Sequence, residues 1–569
     1  MTIKNDITIV ATSIVDGVQM VGGAVLSMQP VTPPTPTPEP TPPPSSRSMW
    51  AIIDYGSKSY SFEEEFGTDL GNFVEPGGHF TQRCVLCTHA ELLAFSVMFR
   101  PDADGSRDEV VVELGTLFSG TPTNMGAYTA TIYRGDKELV TIEVNEHYWN
   151  SRWTWESAPR KLLYDPSSAA VHDMLPTYSD TLFGSAIPLS VLRIYHGPMD
   201  LAGIQPYIPS TGERDEIGIC TEGQAEYLCL RNSSAWQSVD AWLKGSGTIP
   251  WHFRDEKTHA PLDWNEYPNA TMYSPNGANP YIKNPPSPIT LDTAHEGSFA
   301  YVPFILTGNP YALEEMQFYC TYNVVMLPPS ARNKFNLGNA VRAVAWTLRA
   351  LAHCATVTPL DVPSWLKPRS YFKQRLDEER DWFMTYVNNP AAPHSGLHLL
   401  GTSAGSASAG TGFPANTWTS IWMEDFLTAV IGWIVCMGHE DWRPILEWKA
   451  QDVIARTNGK SGWIRACPTM YQLSLNEVNK PVLNNWADVW ELNGHTQPAN
   501  CQYIDPDVLS MSAYYTYSSY ALGALAMCAR AGISAAQQPY DWLLSELQKG
   551  DIAARNIKRK WAVASPDQV

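Results

Sequence analysis

Arg342, Trp346, Arg349 and His353 fall at i, i+4, i+7 and i+11, a spacing that lines four side chains along one stripe of a helix. Two guanidinium groups, an imidazole and an indole are an unusual choice for a merely solvated face. The cations suit anion binding, the imidazole suits proton transfer near neutrality, and the indole suits stacking on a flat ring. The opposite face, with Val341, Val344, Leu348 and Leu351, is apolar. Upstream, Tyr319, Tyr322 and Asn323 share a face at i, i+3 and i+4. Asp292, His295 and Glu296 stand at a helix start after a proline-rich loop, where Asp292 is also placed to cap the helix. Downstream, Trp418, Trp422 and Asp425 share a face, with Glu424 beside them. The candidate catalytic set is therefore His295, Tyr322, Asn323 and Arg342. Trp346, Arg349, His353, Trp422 and Tyr319 are candidates to hold a ligand. Asp263, Asp292, Glu296, Glu424 and Asp425 form an alternative acid/base set.

Other chemistries find little footing. Residues 395–412 are rich in Gly and Ser but lack the Lys-Ser/Thr pair of a phosphate-binding loop, so they read as a loop or lid. No GxSxG elbow, HExxH helix or dinucleotide fingerprint stands in a credible context. Cys84-Val-Leu-Cys87 with His89 has no second pair at zinc-finger spacing and reads as buried thiols in a strand. No metal and no cofactor are expected. The formal charge of −19, from 39 basic and 58 acidic residues, argues against nucleic acid as a partner. No stretch is long and apolar enough to suggest a membrane span. The ten cysteines are scattered, several within apolar helical stretches, and read as thiols rather than a disulfide framework.

The elements that must position these residues change character along the chain. Residues 1–29 are a short segment of β-formers and small residues, read either as a tether to a larger assembly or as a tail. Residues 30–48 form a Pro/Thr-rich linker, extended and semi-rigid. Residues 49–160 show short β segments with turn punctuation, at 110–117, 128–133 and 139–145 among others, and predict a β-sandwich-like domain. Residues 161–220 are irregular and rich in Pro and aromatics. From 221 to 569 the period is helical, with helices expected at 224–231, 236–244, 295–306, 311–326, 340–356, 374–388, 418–437, 442–456, 509–531 and 540–555. Gly308, Gly438 and Gly532 each end one helix just before the next begins, and such short junctions lay consecutive helices antiparallel. The fold class expected is multidomain α+β: a β-sandwich-like domain followed by a large (α/α) helical-hairpin toroid with an aromatic cleft. With 21 Trp and 26 Tyr, the chain has the aromatic stock to line one.

This arrangement, carrying His, Tyr, Asn and Arg on a toroid, resembles the (α/α)-toroid polysaccharide lyases, such as the alginate and chondroitin/hyaluronate lyases. The stretches RIYHGPMDLAGIQPYIPSTGERDEIGI, SGTIPWHFRDEKTHAPLDWNEYP, LDTAHEGSFAYVPFILTGNPY, MQFYCTYN and WMEDFLTAVIG are similar to segments of phage and proteobacterial exopolysaccharide depolymerase candidates. The likeness covers roughly residues 190–530. It departs from the lyases at Ala294, where they tend to carry Asn ahead of the His. The resemblance implies β-elimination on a uronic-acid-containing glycan. Asn323 or Arg342 would neutralise the carboxylate, His295 would take the C5 proton, and Tyr322 would protonate the leaving oxygen. Hydrolysis by two of the carboxylates is the second expectation, with a pair about 6.5–9.5 Å apart for inversion or about 5–5.5 Å for retention. A non-catalytic glycan-binding virion protein is the third. The linker, the thiols and the lack of a secretion signal lead to one further expectation. The chain would be made in the cytoplasm and attached to a phage tail through its N-terminal segment, acting on polysaccharide outside the cell.

Overall fold

The structure is a computed structural model. It describes residues 8–15, 18–25, 48–115, 122–168, 171–183, 187–206, 214–271, 287–289, 291, 293, 297–326, 341–389, 395–400, 403–404, 417–465, 467–469, 473–494, 517–549 and 557–568. Met1–Ser48 and Met49–Val569 are separate compact units. In the first, strands β1 (Thr8–Val15) and β2 (Val18–Val25) pair antiparallel, from Thr8 opposite Val25 to Val15 opposite Val18. The N-terminal segment is therefore a hairpin, which local β-propensity in so short a piece did not announce.

The second unit opens with nine strands: β3 (Met49–Tyr55), β4 (Lys58–Glu63), β5 (Thr68–Val74), β6 (Thr81–His89), β7 (Leu92–Pro101), β8 (Asp108–Leu114), β9 (Tyr128–Arg134), β10 (Lys137–Val144) and β11 (Ser151–Glu156). They form two antiparallel sheets, of order β10-β9-β3-β4 and β11-β8-β7-β6-β5. Period-2 alternation assigns each side chain to a face. Ala51, Ile53 and Phe62 of the first sheet meet Val85, Val97, Phe99, Val110, Val112 and Trp153 of the second in one apolar core. The residues between them, Cys84, Leu86, Met98 and Val111, point the other way and join the core of the helical region. The five-stranded sheet is thus buried on both faces, which is why β8 reads as an unbroken Val run.

Eleven α-helices follow among the described residues: α1 (Glu222–Leu230), α2 (Ser233–Ser246), α3 (Tyr301–Thr307), α4 (Pro310–Met326), α5 (Val341–Val357), α6 (Arg369–Val387), α7 (Ile421–Cys436), α8 (Arg443–Thr457), α9 (Trp486–Gly494), α10 (Tyr517–Arg530) and α11 (Gln537–Gln548). Thr221 starts α1 with a capping box to Gln224. Gly308, Gly438 and Gly532 hold φ of 63°, 96° and 86°, the left-handed stop the sequence announced. Helix α5 packs on α4 and α7, and α7 on α10. Helices α6, α8 and α11 lie against α5, α7 and α10, and α8 also meets α6 and α11. The C-terminal turn Arg559–Trp561 packs against both α10 and α1.

The stretch between sheets and helices laces the unit together. Leu163 N–H donates to the Leu306 carbonyl at 2.8 Å, and the Tyr178 hydroxyl to that of Lys560 at 3.1 Å. Among the described residues no helix is long and apolar enough to cross a membrane.

Candidate functional site

Helix α4 is buried along nearly its whole length, so its polar face cannot be a solvated one. Tyr319, Tyr322 and Asn323 lie on that face. Across from them, Trp251 sets its ring centroid 5.0 Å from Tyr319 and 6.1 Å from Tyr322, and Phe253 lies 6.4 Å from Tyr322. The residues between point the other way: His252 Nε2 is 2.9 Å from a Glu315 carboxylate oxygen, and Arg254 Nη2 is 2.6 Å from Glu314. Residues 251–254 therefore act as a splint, alternately holding the tyrosines and the base of α4. Asn323 Nδ2 donates to the Tyr319 carbonyl at 2.8 Å, while its Oδ1 is buried without a hydrogen-bond partner.

Helix α5 brings Arg349 close to the Tyr319 phenol and carries His353 one turn further on, near Arg349. Arg349 is 1% exposed. Its Nη1 donates to the Gly218 carbonyl and, at 3.1 Å, to that of Ile219, and its guanidinium stacks 4.3 Å from the Trp346 ring centre. Nε and Nη2 have no hydrogen-bond partner, and among the described residues no carboxylate pairs with this cation. Burial lowers its pKa, opposed mainly by the nearby Tyr319 phenol. His353 is stacked 3.6 Å on Tyr301 and meets Trp433 edge-on at 4.7 Å. Burial, with Arg349 adding to it, holds the imidazole well below its ordinary value, so the ring is neutral. Its Nδ1 lies 3.5 Å from the Ser298 hydroxyl and its Nε2 has no partner. Each unmet buried polar group costs about 1–3 kcal/mol, and an unpaired buried charge costs more.

Other candidates are placed differently. Arg342, in the first turn of α5, is half-buried, with its guanidinium 5.7 Å from the Trp422 ring centre and Nη1 3.8 Å from Met423 Sδ. Trp346 and Trp422 are wholly buried. Trp346 packs edge-on against Phe426 at 5.2 Å, and Trp422 against Tyr517 and Tyr520 at 5.3 and 5.4 Å. Both rings brace helix against helix and present no solvent-facing surface. Asp292, His295 and Glu296 lie outside the described residues, as do 401–402 and 405–416 of the Gly/Ser loop.

The carboxylates in the alternative set have structural partners. Glu424 pairs with Lys449 at 3.0 Å and accepts from Leu400 N–H at 3.2 Å. Asp425 pairs with Arg456, which also holds Asp452 at 2.8 Å, and Asp452 returns to Lys449 at 2.7 Å. All five are buried, so the set is an alternating ladder that pins α7 to α8. Asp263 takes Lys367 Nζ at 2.9 Å and caps the N–H groups of Asn265 and Glu266. Burial would raise its carboxyl, but these partners outweigh it and hold it low.

Cys84 and Cys87 face opposite sides of β6, one in each core, so they cannot share a metal ion. Among the described residues no group of three or more His, Cys, Asp or Glu could hold one. Among the described residues eight cysteines are thiols and Cys467 is disulfide-bonded, an exception to the reading of the cysteines as thiols. Comparison of the chain with family models, curated proteins and solved structures gave no match in any of the three.

The sequence left unassigned the splint 251–254 and the Gly218 and Ile219 carbonyls. Its signal was the alternation Trp-His-Phe-Arg, two rings interleaved with two bases, which marks an extended segment with two different faces.

Proposed function

We propose that the chain depolymerises a uronic-acid-containing polysaccharide by β-elimination. The observation that carries this reading is Arg349, a buried cation that among the described residues has two unpartnered N–H groups and no carboxylate. A substrate carboxylate would complete it, with charge-assisted hydrogen bonds in a water-poor site. Neutralising that carboxylate makes C5–H more acidic. A base then takes the proton, the electron pair forms the C4=C5 bond, and the C4–O4 bond breaks as O4 receives a proton. Neutral His353 is the base on α5 and Tyr322 the phenol that protonates O4; Asn323 assists at the carboxylate. His295 and Arg342 stand as the alternative base and cation.

The toroid reading is supported by the order of helix contacts. Helices α4, α5, α7 and α10 follow one another, each of the last three backed by a hairpin partner, and the C-terminal turn returns to α1. The polar groups of α4 and α5 would then line the inner side. Elimination is favoured over hydrolysis because Glu424 and Asp425 are already committed to Lys449 and Arg456. The Pro/Thr-rich residues 30–46 suit a spacer, and we assign the chain to a virion, with the N-terminal hairpin as its attachment.

The test is digestion of acidic exopolysaccharides by the full chain while short-wavelength ultraviolet absorbance from unsaturated uronate is followed. Absorbance should rise as the chains shorten. Arg349→Met should lower kcat about 100- to 1000-fold with the melting temperature tracked alongside. Shortening without absorbance would replace elimination by hydrolysis.

A further inference from the structure

A cavity of about 790 Å³ opens where the two sheets end side by side. Strand β10 is the edge of the four-stranded sheet and β11 the edge of the five-stranded one. Ile142 and Glu143 from β10 and Thr154 and Trp155 from β11 form two walls; Tyr195–Asp200 and Lys244 of α2 form the others. None of these residues takes part in the site on α4 and α5.

The third wall is built rather than draped. Met199 and Ala202 both hold positive φ, 63° and 48°, a conformation that non-glycine residues rarely adopt. Asp200 fixes the turn by accepting from His196 N–H at 2.7 Å and Ala202 N–H at 2.9 Å. Met199 Sδ also accepts from the Ser151 hydroxyl at 3.3 Å, docking the loop on β11. Such held conformations cluster at ligand sites. Two polar atoms on lining residues are buried beneath the cavity wall and left without hydrogen-bond partners, Thr154 Oγ1 and the Tyr195 hydroxyl.

The lining combines an indole and a phenol with hydroxyl, amide, carboxylate and ammonium groups. Aromatic faces suit the apolar face of a pyranose, and the polar groups suit its hydroxyls. Glu143 and Asp200 stand at the space against the ammonium of Lys244, which is already paired with Asp240 and Glu156, a balance that disfavours a uronate and accepts hydroxyl protons. We infer that this cavity is a binding site for a neutral hexose unit, separate from the elimination site. It would hold a neutral sugar of a branched or mixed polymer while the acidic residues are processed elsewhere, and its ligand chemistry does not depend on the elimination mechanism.

The experiment is saturation-transfer NMR on the full chain with the methyl glycosides of glucose, galactose and mannose. At least one should receive saturation, and Thr154→Val and Trp155→Ala should each weaken that transfer several-fold, while Arg349→Met leaves it intact. Thr154→Val keeps the side-chain shape, so its effect reports the hydroxyl even where Trp155→Ala disturbs folding. Absence of transfer from all three glycosides overturns the inference. So does transfer unchanged in Thr154→Val and Trp155→Ala, or transfer lost in Arg349→Met, which would place the sugar at the other site.

Discussion

Two buried glutamates at the start of α4 show what a charge costs in this core and what repays it. Glu314 accepts from Arg100 at 2.7 Å, Arg254 at 2.6 Å and also Arg152, reaching three β-sheet or splint residues from one helix. Glu315 takes Arg152 and His252. Burial alone would raise the Glu315 carboxyl, but Arg152 and His252 outweigh it and hold it at about 2. A carboxyl whose folded value lies below its unfolded one adds stability above the unfolded value, and that contribution drains away as pH falls through the folded value. For Glu315 the window runs from about 4.5 down to about 2. Glu315→Gln leaves Arg152 with Glu314 as its one carboxylate and takes the carboxylate from His252, and should cost about 3–5 kcal/mol near neutral pH. Denaturant melts of the two proteins should differ by that amount there and converge through the window; a gap that stays constant to its lower end would remove Glu315 as the source of this acid sensitivity. Arg349 is the contrast: a similarly buried guanidinium with carbonyls and an indole around it but, among the described residues, no carboxylate.

At the scale of elements, the helix junctions allow a controlled comparison. Gly308 and Gly438 share the left-handed stop, yet a β-carbon on Gly308 would run into the side chain of Glu75, whereas one on Gly438 would meet nothing within 4 Å. Either alanine should cost about 1–2 kcal/mol for the backbone alone. Gly308→Ala should cost more, because Glu75 would have to leave Gly77 N–H, His79 N–H and the Tyr164 hydroxyl. Equal losses for Gly308→Ala and Gly438→Ala in chemical denaturation would show that the Glu75 contact yields freely. These stops were legible in the sequence because the signal is local: a Gly followed within a few residues by a polar or Pro helix start. The faces of α4 and α5 were legible too, from spacing. Their surroundings were not. Helix α5 packs against α4, α6 and α7, and Trp346 is wholly enclosed. The Arg100 to Glu314 pair spans 214 positions, and no periodicity reaches so far. Helix α9, only nine residues long, gave too few turns for its period to stand out.

For the molecule as a whole, the outer face of the five-stranded sheet decides what can exist alone. Sequence punctuation separates residues 49–160 from the helices, whereas Met49–Val569 is one compact unit. Cys84, Leu86, Met98 and Val111 are core residues of the helical region as much as of the sheet. Beside them, Arg100, Arg152 and Glu113 are matched to Glu314, Glu315 and Arg254 across the junction. Cutting between sheet and helices would expose that apolar face and leave several buried charges unpaired at once, a loss no ordinary stability margin covers. A chain of residues 49–569 should therefore melt with sheet-sensitive and helix-sensitive probes changing together, the near-ultraviolet signal of Trp153 in the sandwich following the far-ultraviolet helical signal. A chain of residues 161–569 should fail to reach a folded, monomeric state, read as dye binding and aggregation in size-exclusion chromatography. If the shorter chain were monomeric with a sharp melt of its own, the sheet would be a separable domain. The charge network would then be a contact between two independently stable bodies, and helix α4 would need another source of the rigidity that holds Tyr319, Tyr322 and Asn323 in place.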